Sequence, residues 1–306
     1  MKILDTLKID GSEPTAVAVG FFDGVHRGHK AVIDAALKYK SEGLKTVVFS
    51  FSMSSSSPAA KKGIKLLTTP TIKAQTLEAM DVDWLLLPDF SAFMGLSPEQ
   101  FAVEGLFRGM NARVVCCGYD YRFGKGASAG AEDLERFLSP YDVKIEQVGA
   151  VLDDGKPISS TRIRGCLQDG NIEEANRLLG RPFAIDMPVE HGMKLGRKLG
   201  FPTANQRIAP IFAAPRFGVY ATRVTIDGET YTAVTNVGVK PTVGSDFVGA
   251  ESYILDWSGD LYGKNVKTEF LTFLRPEQKF ESLDALREEV FRNAEQAREA
   301  VKNYRL

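Results

Sequence analysis

Two histidines three residues apart, His26 and His29, sit in the decapeptide Gly20-Phe21-Phe22-Asp23-Gly24-Val25-His26-Arg27-Gly28-His29. Their chemistry would be directed at an anion. Gly20 and Gly24 are expected to supply φ > 0 and close backbone approach, and imidazoles on the first turn of a helix can face one ligand. The unpaired N–H groups and positive dipole of that helix start attract the same charge. Zinc is the first alternative, but it needs three or four ligands. The only other histidine is His191, and Cys116, Cys117 and Cys166 are not at ligand spacing. The second alternative is a plain turn with incidental histidines. Two of the chain's three histidines in one tetrad speak against it.

Two further stretches could do related chemistry. Ile158-Ser159-Ser160-Thr161-Arg162-Ile163-Arg164 places hydroxyls at a helix start and arginines on its first turn, so donors, charge and dipole would converge on an anion. The bland alternative is an N-cap with solvated arginines. Leu195-Gly196-Arg197-Lys198-Leu199-Gly200-Phe201-Pro202-Thr203-Ala204-Asn205 flanks two cations with glycines, then sets a hydroxyl and a carboxamide two residues apart. On extended backbone Thr203 and Asn205 share a face. Such oxygens suit Mg²⁺, which takes its remaining ligands from phosphates and water. No Gly-Lys-Ser/Thr ends the stretch, so it is not a Walker A loop, and an ordinary glycine turn is the alternative.

The elements that must hold these groups follow from periodicity. The apolar run 15–19 reads as a strand, and 30–40 as a helix with Val32, Ile33, Ala36 and Leu37 inward. Strands are also expected at 44–51, 84–87, 113–117 and 143–151, with helices after Pro70 (inner face Ile72, Leu77, Met80) and from Ser97 to about Met110. Ser97, Pro98 and Gln100 form a capping box. Residues 52–58 read as a mobile, polar, low-complexity loop. Alternating strands and helices predict a Rossmann-like parallel sheet with ligands beyond the carboxyl ends of its strands, where both the histidine turn and the loop 118–126 fall.

Asn171 caps a helix ending at Gly180, and the boundary is placed there, giving domains 1–180 and 181–306. Beyond it the period becomes two. Strands 218–226 and 229–237 flank Asp227-Gly228, a strong hairpin signal, and others follow at 251–257 and 265–274. A closed antiparallel β-barrel is expected. Ser282 starts a long helix whose stripe Leu283, Leu286, Val290, Phe291, Ala294, Ala297 and Val301 should pack on it.

Composition limits the function classes. The 306 residues suffice for two cores, and a net charge of −1 gives no broad electrostatic case for nucleic acid or an anionic membrane. No run approaches signal-peptide or membrane-span length, and three cysteines make no disulfide framework, so the protein reads as cytoplasmic.

The motif at residues 20–29, together with the Ile-Ser-Ser-Thr-x-Ile-Arg run at 158–164, resembles the nucleotidylyltransferase half of the prokaryotic-type bifunctional riboflavin kinase and FAD synthetase family. Residues 196–205, Glu251-Ser252-Tyr253-Ile254-Leu255-Asp256, Asp260-Leu261-Tyr262-Gly263 and Leu274-Arg275-Pro276-Glu277 are similar to its riboflavin kinase half. The resemblance spans nearly the whole chain in the right order. It implies ATP-dependent phosphorylation of riboflavin in the barrel, with Mg²⁺ at Thr203 and Asn205 and Glu251 as general base. It implies adenylylation of FMN by a second ATP in the first domain, with His26 and His29 at the α-phosphate and leaving oxygen. Nucleotide contacts would come from Gly20, Phe21, Phe22, Asp23, Gly24, Gly28, Ser160, Thr161, Arg162, Arg164, Gly196, Arg197 and Gly200. Flavin contacts would come from Asp120, Phe123 and Arg275. One departure is visible: the family carries Phe-x-Pro and a polar ring or amide residue after its second strand, where this chain reads Phe49-Ser50-Phe51-Ser52-Met53-Ser54. A riboflavin kinase with a weakened adenylyltransferase domain, and a non-catalytic nucleotide-binding module, are the competing readings.

Overall fold

The computed structural model describes residues 1–306 except 12, 54–62, 193–195, 197–198 and 241–245. Its contacts divide the chain into two compact units, one comprising residues 1–64 and 73–158, the other 65–72 and 159–306.

In the first unit, six strands form one parallel sheet. They are β1 (Lys2–Leu4), β2 (Thr15–Val19), β3 (Lys45–Phe49), β4 (Trp84–Leu86), β5 (Ala112–Gly118) and β6 (Lys144–Val148), in the order β1-β4-β3-β2-β5-β6. The order reverses at β2, which pairs with β3 on one side and β5 on the other, in register Val19↔Phe49 and Val19↔Cys117. Every residue of β2 is buried, as a strand covered on both faces requires. Helix α1 (Arg27–Leu37) buries Val32, Ile33 and Ala36, as their spacing predicts, and Ala35 besides, while Leu37, also expected inward, is half-buried. Helix α2 (Pro70–Glu78) contributes Leu77 to the core.

Ser97 caps helix α3 (Pro98–Gln100) with both hydrogen bonds of a capping box, and the chain then continues as a π-helix over Phe101–Gly109 rather than as the α-helix expected to Met110. Helix α4 (Ala131–Leu138) precedes β6 and a short hairpin, β7 (Leu152–Asp153) and β8 (Lys156–Pro157). Neither β1 nor this hairpin has a periodic signature at two or three residues. Most of the expected mobile loop lies outside the described residues.

The second unit holds helices α5 (Ser160–Asp169) and α6 (Ile172–Leu179) and a closed barrel of β9 (Phe183–Glu190), β10 (Thr203–Arg207), β11 (Gly218–Ile226), β12 (Glu229–Lys240), β13 (Phe247–Ile254) and β14 (Asn265–Arg275). All its pairs are antiparallel. Asp227 (φ 49) and Gly228 (φ 90) both adopt positive φ, the geometry that lets a two-residue turn follow the strand twist. Several buried polar side chains pair inside the barrel: Thr235 Oγ1 lies 2.7 Å from Thr222 Oγ1 and 2.8 Å from Ser252 Oγ, while Gln206 donates to the Met187 and Val266 carbonyls at 2.9 and 2.6 Å.

Asn171 stands at the α6 N-cap but makes no side-chain capping bond; its helix ends at Gly180, φ 72. Helix α7 (Leu283–Asn303), capped by Ser282, packs on β11, β12 and β14. Of its stripe, Ala294 and Ala297 are buried, Leu286 and Val290 line the barrel cavity, and the Phe291 ring meets those of Phe201 and Tyr253 at 6.4 and 6.3 Å; only Leu283, 54% exposed in the fraying first turn, departs from the expectation.

Candidate active site

The histidine turn is wound tightly at the carboxyl end of β2. Phe22 (φ 49), Gly24 (φ 88) and Val25 (φ 41) all take positive φ, and such backbone at a non-glycine residue is strain of order 1–3 kcal/mol that clusters at ligand sites. Gly20 does not take positive φ as expected. It is needed because a Cβ there would sit 2.9 Å from the Phe22 ring, which is itself buried. Gly20 donates its N–H to the Phe49 carbonyl at 3.2 Å, tying the turn to β3.

His26 is the N-cap of α1, its Nδ1 accepting from the His29 N–H at 3.2 Å. The two rings stack at 3.6 Å with 15° between their planes, and a Cβ at Gly28 would approach the His26 ring to 3.2 Å. The missing side chain at Gly28 therefore leaves room for the imidazole. Arg27 pairs with the buried Asp153 at 3.0 Å, fixing the start of α1 to the β7–β8 hairpin. The sequence brings two imidazoles near one helix end, and the fold stacks them.

Helix α5 belongs to the second unit. Ser159 caps it, accepting from the Arg162 N–H at 3.2 Å, so Ser160 and Thr161 lie on its first turn. Arg162 pairs with Glu174 at 2.7 Å, and Arg164 Nε donates to the Lys65 carbonyl at 2.6 Å. A carboxylate thus holds Arg162 and a backbone carbonyl holds Arg164.

In the barrel a cavity of about 290 Å³ is lined by Gly196, Phe201, Thr203, Asn205, Asn236, Glu251, Tyr253 and Arg275, among others. Strand register makes it: Asn205 and Asn236 both oppose Glu251, and Thr203 opposes Tyr253. The Asn205 amide donates to the Thr203 carbonyl at 3.3 Å and lies 3.5 Å from its Oγ1, so hydroxyl and carboxamide do share a face. Glu251 pairs with Lys240 at 3.1 Å. Oxygen donors of these types fit Mg²⁺, and among the described residues no group of three or more His, Cys, Asp or Glu could hold a metal alone. Gly196 is required by space, since a Cβ there would meet the Phe201 carbonyl oxygen at 2.5 Å; Gly200 takes φ 88. Arg197 lies outside the described residues.

A family model for FAD synthetase matches residues 8–162, and one for riboflavin kinase matches 179–301. The bifunctional riboflavin kinase/FMN adenylyltransferase of Listeria monocytogenes is 36% identical, over 88% of this chain and 87% of that protein. This chain belongs to the bifunctional riboflavin kinase/FMN adenylyltransferase family. The enzymes so named from Bacillus subtilis and Escherichia coli K12 are each 34% identical, over 95% and 94% of this chain and 94% and 93% of theirs. A crystal structure reported as a macrolide-efflux protein from Streptococcus pneumoniae superposes with TM-score 0.84 at 31% identity, covering 99% of both chains. Among the described residues here no helix is long and apolar enough to cross a membrane.

Within this family's frame, Arg275 lines the barrel cavity and is held from α7: its Nε donates to the buried Asn293 Oδ1 at 2.9 Å and lies 3.3 Å from Glu289. Burial draws its guanidinium pKa down, with Glu289 opposing the fall. In the first unit Asp120 is exposed, whereas Phe123 is 6% exposed and packs 5.7 Å from the Phe101 ring. Phe51, standing in the run that departs from the family pattern, stacks on Phe21 at 4.7 Å.

Sequence reasoning missed three polar residues at these sites. Lys73 is buried against the histidine turn, Asn236 lines the barrel cavity, and Lys240 pairs with Glu251. A signal existed for two of them. Lys73 precedes Leu77 by one helical turn and so lies on the inner face, and Asn236 shares a strand face with the cavity-lining Val234.

Proposed function

We infer that this chain makes both flavin cofactors in sequence: it phosphorylates riboflavin with ATP to give FMN, then transfers AMP from a second ATP to FMN, giving FAD and pyrophosphate. The observation that carries the kinase assignment is the single cavity in which Thr203, Asn205 and Glu251 converge. Glu251 accepts the proton of the ribityl 5′-hydroxyl as that oxygen takes the γ-phosphoryl group and ADP leaves. Thr203 and Asn205 would hold Mg²⁺, whose charge offsets that of the phosphates. Gly196, Arg197 and Gly200 would contact the nucleotide, and Arg275 the flavin.

For adenylylation, residues 20–24 and Gly28 provide the close backbone and His26 and His29 the donors. An FMN phosphate oxygen attacks the α-phosphorus, the bond to the bridging oxygen breaks, and the imidazoles meet the charge that develops there. Ser160, Thr161, Arg162 and Arg164 serve the outer phosphates, with Asp120 and Phe123 near the flavin. The functional boundary lies near residue 180, and the protein works in the cytoplasm without nucleic-acid or membrane partners. The kinase-only and binding-module readings are not favoured, because two catalytic family matches and bifunctional relatives agree.

The test is chromatography of the flavins formed by the full-length protein with riboflavin, ATP and Mg²⁺. FMN followed by FAD is expected. Arrest at FMN would remove the second activity, and unchanged riboflavin would remove the first.

A further inference from the structure

Lys73 is 6% exposed, and burying an ammonium is costly unless partners offset it. Its Nζ donates to the Phe21 carbonyl oxygen and to Ser50 Oγ, both at 2.9 Å, and stands 5.2 Å from the centre of the Phe21 ring. Ser50, the residue after β3, donates its own hydroxyl to the same Phe21 carbonyl at 2.7 Å. Asp23, 2% exposed, supplies the countercharge. Two donors thus converge on one peptide oxygen of the histidine turn.

That peptide is the last one before the strained backbone. The Phe21 carbonyl and the Phe22 N–H belong to one rigid plane, so holding the oxygen fixes where the N–H points and how the chain enters positive φ at Phe22. A neutral donor could satisfy the same oxygens. The ammonium also places a fixed positive charge beneath a turn that receives phosphates, in surroundings where charge is poorly screened. Burial draws the Lys73 pKa down to about 8, with Asp23 opposing the fall, so the amine remains mostly charged at neutral pH.

We propose that Lys73 is a positioning residue for adenylyl transfer: it pins the Phe21–Phe22 peptide to the end of β3 and holds positive charge under the turn. This rests on reading residues 20–29 as the adenylylation site. The test uses full-length protein and two separate assays, FMN to FAD and riboflavin to FMN, on the wild type, Lys73→Met and Ser50→Ala. Lys73→Met should lower kcat for FAD formation by about 10- to 100-fold, less than the ~10² to 10³ of a donor touching the charge. Its KM for ATP should move far less, and its kinase rate should stay at the wild-type value. Ser50→Ala, which removes one hydrogen bond to the pinned carbonyl, should lower it by about 2- to 10-fold.

A folded Lys73→Met protein with FAD formation near wild type, or with its whole loss in the KM for ATP, overturns the proposal. If Lys73→Met fails to fold and loses the kinase as well, Ser50→Ala decides: a several-fold loss upholds the pinned carbonyl, and wild-type turnover overturns it. A wild-type protein that forms no FAD refutes the reading of the turn itself, and the proposal with it.

Discussion

His26 has two duties that one substitution would confuse. Its Nδ1 caps α1 by accepting from the His29 N–H at 3.2 Å, and its ring stacks on that of His29. Loss of a cap costs about 1 kcal/mol, which for a unit of this size shifts the melting temperature by roughly 2–4 °C. Loss of a preorganised donor to transition-state charge costs ~10² to 10³ in rate, roughly 2.7–4 kcal/mol of barrier. His26→Ala removes both. His26→Asn keeps an oxygen able to cap and removes the imidazole, while His29→Ala leaves the cap acceptor in place. FAD formation from FMN should therefore fall by about 10² or more in all three. Calorimetry should show the lower melting temperature chiefly in His26→Ala. Riboflavin phosphorylation by the same protein serves as the internal control and should not change. FAD formation near wild type in His26→Asn would refute the reasoning, because His26 would then be a cap alone.

Glu251→Gln should reduce FMN formation by roughly 10² to 10⁴ while nucleotide binding persists, measured by flavin chromatography and ATP titration. Asn176 is 1% exposed, accepts from the Phe183 N–H at 2.6 Å and donates to the Phe270 carbonyl at 2.8 Å, so Asn176→Ala leaves both backbone groups unpaired. Urea unfolding of the second unit should show a loss of about 1–3 kcal/mol for each. Because the Lys73 pKa in the folded chain, about 8, lies below its usual 10.5, the unfolded chain binds the extra proton between those values. Lys73's contribution to stability therefore rises with pH from about 8 to 10.5, and Lys73→Met should flatten that rise in melting curves.

Much of this protein is legible in its sequence because the signals concerned are local. Asp227-Gly228 supplies the positive φ its hairpin needs, Ser97 and Gln100 cap their own helix, and the spacing of Val32, Ile33 and Ala36 sets the buried face of α1. Each involves residues within one or two turns of one another. The histidine turn was visible for the same reason, as was the pairing of Thr203 with Asn205 on one strand face.

Tertiary structure decided what depends on register and burial. That Glu251 opposes both Asn205 and Asn236 follows from how three strands align, and a shift of one residue would turn these side chains to the other face. The three-residue β1 exists because β4 offers it an edge, not because its sequence is periodic. Lys73 reads as a charged helix residue in one dimension. Only packing puts it beneath the Phe21 carbonyl, where a buried ammonium must find oxygen partners and where its charge can act on the turn.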